Sequence, residues 1–433
     1  MEDSPLNRFP RGEPGPALPS KDEGFNANAE RERAVALRIY NTRTRRKAAF
    51  RASGDVRMYV CGPTVYASGH MGHARSYVAF DVIRRYLEFL GHRVRYVVNI
   101  TDVEDAITKR ARQARVRPLA LAARYEREFL EDMAALGVKP ADANPRVSEH
   151  IKDIVAVAKD LVAAGKAYVA DRSVYLDTGD GGAFGSLSHS DPRKALVDEA
   201  PAGPRRHPLD FAIWKRAKLG GLAWGSPWGP GTPGWHVECY AMARKHLGGV
   251  DLHGGGRDLI YPHHESENVI SRAHSGRDYA RVWMHNGWLT LETEKMSKSL
   301  GNVVPIREVL AKYPGEVVRL CLAKIQYREN AEYDKDCFAI TGKELNRIRG
   351  AVAHAGKVAT AERANPTVRK LVDRTRAKFL AAMDDDFDTN TAFYSILQFA
   401  EALKAVGEMS RDDRDRLLAA VGDFGTVFGV RFE

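Results

Sequence analysis

Apolar residues change their spacing twice between residues 56 and 100, and the changes predict three elements. Val56, Met58 and Val60 alternate as one face of a strand does, and Cys61-Gly62-Pro63 breaks the run. From His73 the period lengthens: Ala79, Val82, Ile83, Tyr86, Leu87 and Leu90 recur at helical spacing, and Gly91 closes the helix. Residues 94–100 read as a second, buried strand. Strand, helix and strand in this order predict a right-handed βαβ unit, whose ligands gather beyond the carboxyl ends of its strands. Cys61 and the pair Thr101-Asp102 stand at those ends. His70 and His73 stand at the helix entrance, where free N–H groups and the helix dipole favour a phosphate. The pattern outlines a nucleotide site.

The rest of the chain divides by pattern. Residues 1–33, rich in Pro, Gly and charge, predict a disordered extension. Residues 34–115 form the first half of a split α/β domain. Over 116–222 the sheet pattern stops, and a helix at 151–164 with short strands between 167 and 176 predicts an insertion. The α/β pattern returns over 223–290, with a helix at 235–247, a strand at 250–253, three glycines and a strand at 282–285. Residues 291–345 read as a linking domain and 346–433 as a helical bundle. In the bundle, Ala392, Phe393, Ile396, Leu397, Ala400 and Leu403 share one face, with Asp388 or Thr389 as cap and Gly407 as stop. The fold class expected is α/β, followed by helices.

No run of about 18 apolar residues is present, so no membrane span is expected. Lys plus Arg exceed Asp plus Glu by 66 to 56, giving +10 and a pI near 9.3, which suits a polyanionic partner such as RNA. Four cysteines (Cys61, Cys239, Cys321, Cys337) do not suggest a disulfide framework, so a reducing compartment is expected. The acidic residues near the N-terminus speak against a mitochondrial presequence, and no apolar core marks a secretory signal. The location expected is cytoplasmic.

His70-Met71-Gly72-His73 sets two imidazoles three residues apart, hence on nearly one helix face, and Gly72 lets a ligand approach the backbone. Two such imidazoles can donate to an α-phosphate as negative charge builds on it. Lys295-Met296-Ser297-Lys298-Ser299, followed by Leu300-Gly301-Asn302, places two lysines and two hydroxyl groups on a loop that can wrap a triphosphate. Cys61 at a strand end, Cys239 on a helix, and a histidine with Glu267 form a third constellation. Thiolate, imidazole and carboxylate all suit zinc. His263 and Glu267 at i,i+4 fit one face, and His264 and Glu267 at i,i+3 fit as well, so spacing leaves the histidine open. Two buried core cysteines with a capping histidine pair would give the same pattern.

His-x-Gly-His with Lys-Met-Ser-Lys-Ser resembles the signature pair of class I aminoacyl-tRNA synthetases. The blocks Tyr59-Val60-Cys61-Gly62-Pro63-Thr64-Val65-Tyr66, Asn99-Ile100-Thr101-Asp102, Asp210-Phe211-Ala212-Ile213-Trp214-Lys215, Ser226-Pro227-Trp228-Gly229, Gly234-Trp235-His236-Val237-Glu238-Cys239 and His253-Gly254-Gly255-Gly256-Arg257-Asp258-Leu259 narrow it to the cysteinyl-tRNA synthetases. The likeness spans roughly residues 36 to 425. It implies a Rossmann-type class I synthetase domain split by an insertion. It implies L-cysteine, ATP with Mg²⁺ and tRNA(Cys) as partners and one zinc ion held by Cys61, Cys239, His263 and Glu267; the sequence leaves the oligomeric state open, a monomer being the favoured expectation. His70, His73, Lys295 and Lys298 carry the catalytic roles by this likeness. Gly62, Thr64, Gly72, Thr101, Trp235, Gly254, Gly255 and Asp258 join them around cysteine and ATP. Arg319, Lys324, Arg347 and Arg349 are candidate tRNA phosphate contacts.

Three small departures, Ala67, Met71 and Ser266, remove no proposed ligand. A larger one is the stop at Glu433, soon after the helices, where many relatives continue into a small anticodon-reading domain. It keeps two alternatives in view: a mycothiol-type ligase joining activated cysteine to an amino sugar, and a non-catalytic tRNA-binding paralogue. The Pro63-Thr64-Val65-Tyr66 block and the Asp386-Phe387-Asp388-Thr389 segment favour the synthetase.

Overall fold

The computed structural model describes residues 36–179, 184–189, 204–291, 294–296 and 301–433. Four parallel strands carry the site: β1 (Val56–Val60), β2 (Val94–Val98), β3 (Val250–Gly256) and β4 (Ala280–Asn286), in the order β4-β3-β1-β2. Val60 pairs with Val98 on one side and with Gly254 on the other. Strands from the two halves of the split domain are thus neighbours, and their carboxyl ends converge. Val56, Met58 and Val60 face one buried cluster, containing residues of helix α1 (Met71–Phe89). Tyr59 and Cys61 face another, containing residues of helix α2 (Trp235–Leu247). Both faces of the sheet are therefore covered, as parallel sheets require.

Two boundaries differ from the sequence expectation, each for a local reason. Helix α1 starts at Met71, not His73, because the His70 side chain is itself the cap. Strand β3 continues through Gly254, Gly255 and Gly256, where a break was expected. A Cβ on Gly254 would stand 2.5 Å from the Phe80 ring, so glycine there serves packing, not a turn.

Between β2 and α2 the chain forms helices Pro118–Ala135 and Ile151–Ala163 and an antiparallel sheet of Ala167–Ala170, Ser173–Leu176, Phe211–Arg216 and Gly231–Pro233. Past β4, a three-stranded sheet (Glu294–Lys295, Leu289–Leu291, Ala331–Glu332) leads into helices. Asp388 caps helix Thr389–Leu403 by accepting from the Thr391 N–H, and that helix ends before Gly407.

Cys321 and Cys337 form a disulfide joining helices Gly315–Ala323 and Asp336–Lys357, a bridge the sequence reading did not expect. Helix packing brings the two together across 16 residues, which cysteine counting cannot reveal. Arg319 also departs from expectation. It is buried, pairs with Asp81 at 2.5 Å and donates to the carbonyls of Phe428 and Gly137, so it faces the core and not a phosphate backbone. Lys324 and Arg349 pair with Glu344 and Glu316, while Arg347 is exposed. The N-terminal extension lies outside the described residues. No helix among the described residues is long and apolar enough to cross a membrane.

Candidate active site and metal cluster

Cys61 follows β1, and its N–H donates to Gly254 O at 3.0 Å. Cys239 lies one turn into α2, while His263 and Glu267 flank the start of helix α3 (Glu265–Ser275). The two Sγ atoms are 3.9 Å apart, and Glu267 Oε1 is 3.8 Å from Cys61 Sγ and 3.1 Å from His263 Nε2. Sulfurs each about 2.3 Å from a tetrahedral zinc would be about 3.8 Å apart, so the donor set fits that ion. Cys61 and Glu267 belong to a second group too: His264 Nε2 is 3.2 Å from Cys61 Sγ, and His253 Nε2 is 2.8 Å from Glu267 Oε2. Two overlapping quartets result, all buried. Both His263 and His264 therefore approach the cysteines. They differ in access, because Cys61, Cys239 and His263 line a cavity of ≈ 370 Å³ that His253 and His264 do not reach.

Electrostatics keep the cluster charged in part. Burial alone would raise the Glu267 carboxyl, but the imidazoles of His253, His263 and His264 hold it well below the usual carboxylate range. Burial and the neighbouring Cys239 push the Cys61 thiol up, while the hydrogen bond from Cys61 draws Cys239 down. His236 is lowered to about 3 by burial and by the charge of His263, so it is neutral at pH 7. Its Nδ1 lies 3.1 Å from His263 Nδ1 and accepts from it. With Nδ1–H directed at neutral His236, the His263 Nε2, 3.1 Å from Glu267 Oε1, faces the ligand cluster and becomes a metal-binding imidazole nitrogen once its proton is lost.

His70, Gly72 and His73, at the entrance of α1, line the same cavity. His70 Nδ1 accepts from the Gly72 N–H and His73 Nδ1 from the His70 N–H, both at 3.2 Å, and the rings sit 3.9 Å apart. With both Nδ1 atoms accepting, each neutral ring carries its proton on Nε2. A Cβ on Gly72 would lie 2.9 Å from the His70 ring, so only glycine admits this fold-back. Lys295 Nζ pairs with Asp258 Oδ2 at 2.8 Å, and both residues line the cavity. Lys298, with Ser297 and Ser299, lies outside the described residues. The segment beyond the loop is joined to the entrance of α1, through Met71 N to Val304 O (2.9 Å) and Ile306 N to Gly69 O (3.2 Å).

The family profile described as "tRNA synthetases class I (C) catalytic domain" matches residues 48–342. The chain is 45% identical over 416 residues to the cysteine–tRNA ligase of Pelotomaculum thermopropionicum, covering 91% of this chain and 85% of that protein. The chain belongs to the cysteine–tRNA ligase family. A cysteine–tRNA ligase of Thermococcus onnurineus is 46% identical over 389 residues, covering 87% and 79% of the two chains. The methionyl-tRNA synthetase of Mycobacterium tuberculosis, solved in complex with methionyl-adenylate, has the same fold, with a TM-score of 0.65 at 17% identity over 86% of this chain and 90% of that one. The fold is thus the Rossmann-type one of class I synthetases.

In this cysteine–tRNA ligase fold the remaining candidates fall into two sets. Thr64 and Thr101 meet across an isolated bridge on the cavity wall, and Gly62 and Gly255 line the same wall. Trp235 stacks on His263 with ring centres 4.3 Å apart and stays 37% exposed at the mouth. Gly254 does not line the cavity, being packed on Phe80. Asn99 received no role in the sequence reading, yet it organises this wall. Its Oδ1 accepts from the Gly62 N–H at 2.8 Å, its Nδ2 donates to Thr101 Oγ1 at 3.1 Å, and Cys239 Sγ is 3.7 Å from Oδ1. The available signal was an asparagine inside an apolar strand run, since a buried amide must find partners.

Proposed function

We infer that this chain is an enzyme, a cysteine–tRNA ligase. It activates L-cysteine with ATP and Mg²⁺ and transfers the cysteinyl group to the 3′ end of tRNA(Cys). We read it as a cytoplasmic monomer. The observation that carries the reading is one cavity lined both by a thiol–thiol–imidazole group and by two histidines of a helix entrance whose ring centres are 3.9 Å apart.

Cys61, Cys239, His263 and Glu267 would hold zinc. That ion supplies a Lewis acid to which a thiol binds by losing its proton, while serine's far less acidic hydroxyl gains much less. Trp235, Thr64 and Thr101 bound the space beside these residues and orient the amino acid. A carboxylate oxygen of cysteine attacks the α-phosphorus of ATP, and the bond to pyrophosphate breaks. His70 and His73 donate Nε2–H to the oxygen on which charge builds. Lys295, released from Asp258, and Lys298 follow the departing pyrophosphate. The terminal ribose hydroxyl of tRNA then attacks the cysteinyl carbonyl, and AMP leaves.

The test is paired. Cysteine-dependent ATP–pyrophosphate exchange should exceed the serine-dependent rate by about 10⁴-fold or more, as expected where one substrate makes a bond its isostere cannot. Labelled cysteine should then appear on tRNA(Cys) and not on a panel of amino sugars and other small amines. Equal exchange with serine, or amide formation without tRNA, contradicts the reading.

A further inference from the structure

One buried carboxylate ties the helical bundle to the segment behind Lys295. Asp386, between helices Pro366–Asp384 and Thr389–Leu403, is buried, and it and Phe387 have φ of 64° and 55°. Left-handed backbone is disfavoured for an L-residue and persists only where surroundings impose it. Here they do. Asp386 Oδ1 accepts from the Tyr40 N–H at 2.8 Å and the Tyr327 hydroxyl at 2.9 Å, and Oδ2 accepts from Arg328 Nε at 2.6 Å. Its backbone N–H donates to Arg38 O at 2.8 Å, and its carbonyl accepts from Gln326 Nε2 at 3.0 Å.

Two routes lead from the clasped residues Tyr327 and Arg328 to Lys295. By the first, Tyr327 O accepts from the Gly287 N–H at 2.8 Å, Asn330 Oδ1 accepts from the Trp288 N–H at 2.9 Å, and Ala331 pairs with Leu289. Gly287, Trp288 and Leu289 line the cavity, and Thr290 pairs with Lys295. By the second, Arg328 O accepts from Arg257 Nη2 at 2.7 Å, and the next residue, Asp258, holds Lys295 Nζ. A Cβ on Gly287 would stand 2.2 Å from Glu329 O, so a shift of the clasped segment is felt directly at the cavity wall.

We propose that Asp386 is a positioning residue for Lys295: it fixes the 326–331 segment, and through it the strand and the Asp258 partner that set where this lysine waits. The role rests on the activity inferred above. It involves no contact between Asp386 and substrate.

The test is a double-mutant cycle in cysteine-dependent ATP–pyrophosphate exchange on the full chain. Asp386→Asn keeps the volume and one acceptor oxygen but turns an amide toward Arg328. Its kcat should fall about 10-fold, with the KM for cysteine within about twofold of wild type. In a Lys295→Ala background the same substitution should cost no further kcat, since coupled residues are not additive. Asp413→Asn, which removes a buried capping carboxylate elsewhere in the bundle, is the stability control and should lower Tm with kcat unchanged. If Asp386→Asn does not fold, Arg328→Met replaces it, with the same non-additivity expected. Unchanged kcat in a folded variant, or additive losses with Lys295→Ala, overturns the role. A wild-type protein without cysteine-dependent exchange overturns the activity and the role together.

Discussion

Gly62 and Asn99 are packed so closely that a Cβ on Gly62 would stand 1.4 Å from the Asn99 carbonyl oxygen. The exits of β1 and β2 therefore touch through backbone, and the Asn99 side chain seals the contact by accepting from the Gly62 N–H. This contact sets where Cys61 and Thr101 stand relative to each other. Gly62→Ala must push the two exits apart. It should destabilise the protein by about 3 kcal/mol in urea unfolding, as overpacking at a rigid contact does. Exchange activity should fall by about 100-fold, because a displacement near 1 Å misplaces the reacting groups. A variant that retains wild-type exchange would show that the contact is not what spaces the two walls.

His73 has two duties that one substitution can separate. Its Nδ1 helps cap α1, and the residue also lines the cavity. His73→Ala should cost about 1 kcal/mol of stability through the lost cap. It should also lower kcat for exchange by about 10²–10³-fold, the usual loss for one transition-state donor, with little change in the KM for cysteine. A rise in that KM with kcat preserved would move His73 into amino-acid binding.

His236 supports the metal cluster without joining it. Neutral at pH 7, it accepts from His263 Nδ1. His236→Leu removes that partner and should weaken zinc binding by about 10–100-fold, read by competition with a chromogenic chelator. The far side of the cluster, where His253 Nδ1 donates to Tyr59 O at 3.1 Å, is untouched by this change. Unaltered zinc affinity would mean that the His263 tautomer is set elsewhere.

Asp413 gives the bundle a pH-dependent element. Burial works against its charge, but Arg369 Nε at 2.7 Å and the N–H groups of Asn365 and Ser410 outweigh it and hold the carboxyl well below its ordinary value. A depressed folded pKa stabilises the protein above the unfolded value of about 3.9 and is lost as pH falls through the folded one. Asp413→Asn should therefore unfold at a lower temperature than wild type at pH 7, and the gap should narrow below about pH 4. A gap constant from pH 7 to pH 3 would assign the loss to packing.

What could be read from the chain alone followed local rules. The β1–α1–β2 unit was legible because its apolar period changes where Gly62, Pro63 and Gly91 punctuate it. Helix Trp235–Leu247 was legible for the same reason, with Gly248 in left-handed backbone ending it. Gly254–Gly256 misled, since glycine reads as a break unless its neighbours are known, and Phe80, which packs on Gly254, is distant in sequence. The second quartet stayed hidden because His253 stands on a strand and reaches Glu267 only across the fold. The disulfide and the inward turn of Arg319 were equally non-local, each depending on helix packing. At the site, residue types were readable and mutual access was not: only the folded chain separates His263, on the cavity wall, from His264, away from it.

The central claim is that two sulfurs of this chain hold a metal that receives the substrate's own sulfur. X-ray absorption at the zinc edge tests it on the purified protein. The account predicts two sulfurs at about 2.3 Å before substrate, a third on adding cysteine, and no change on adding serine. Protein isolated without zinc, or a sulfur count unmoved by cysteine, would contradict it.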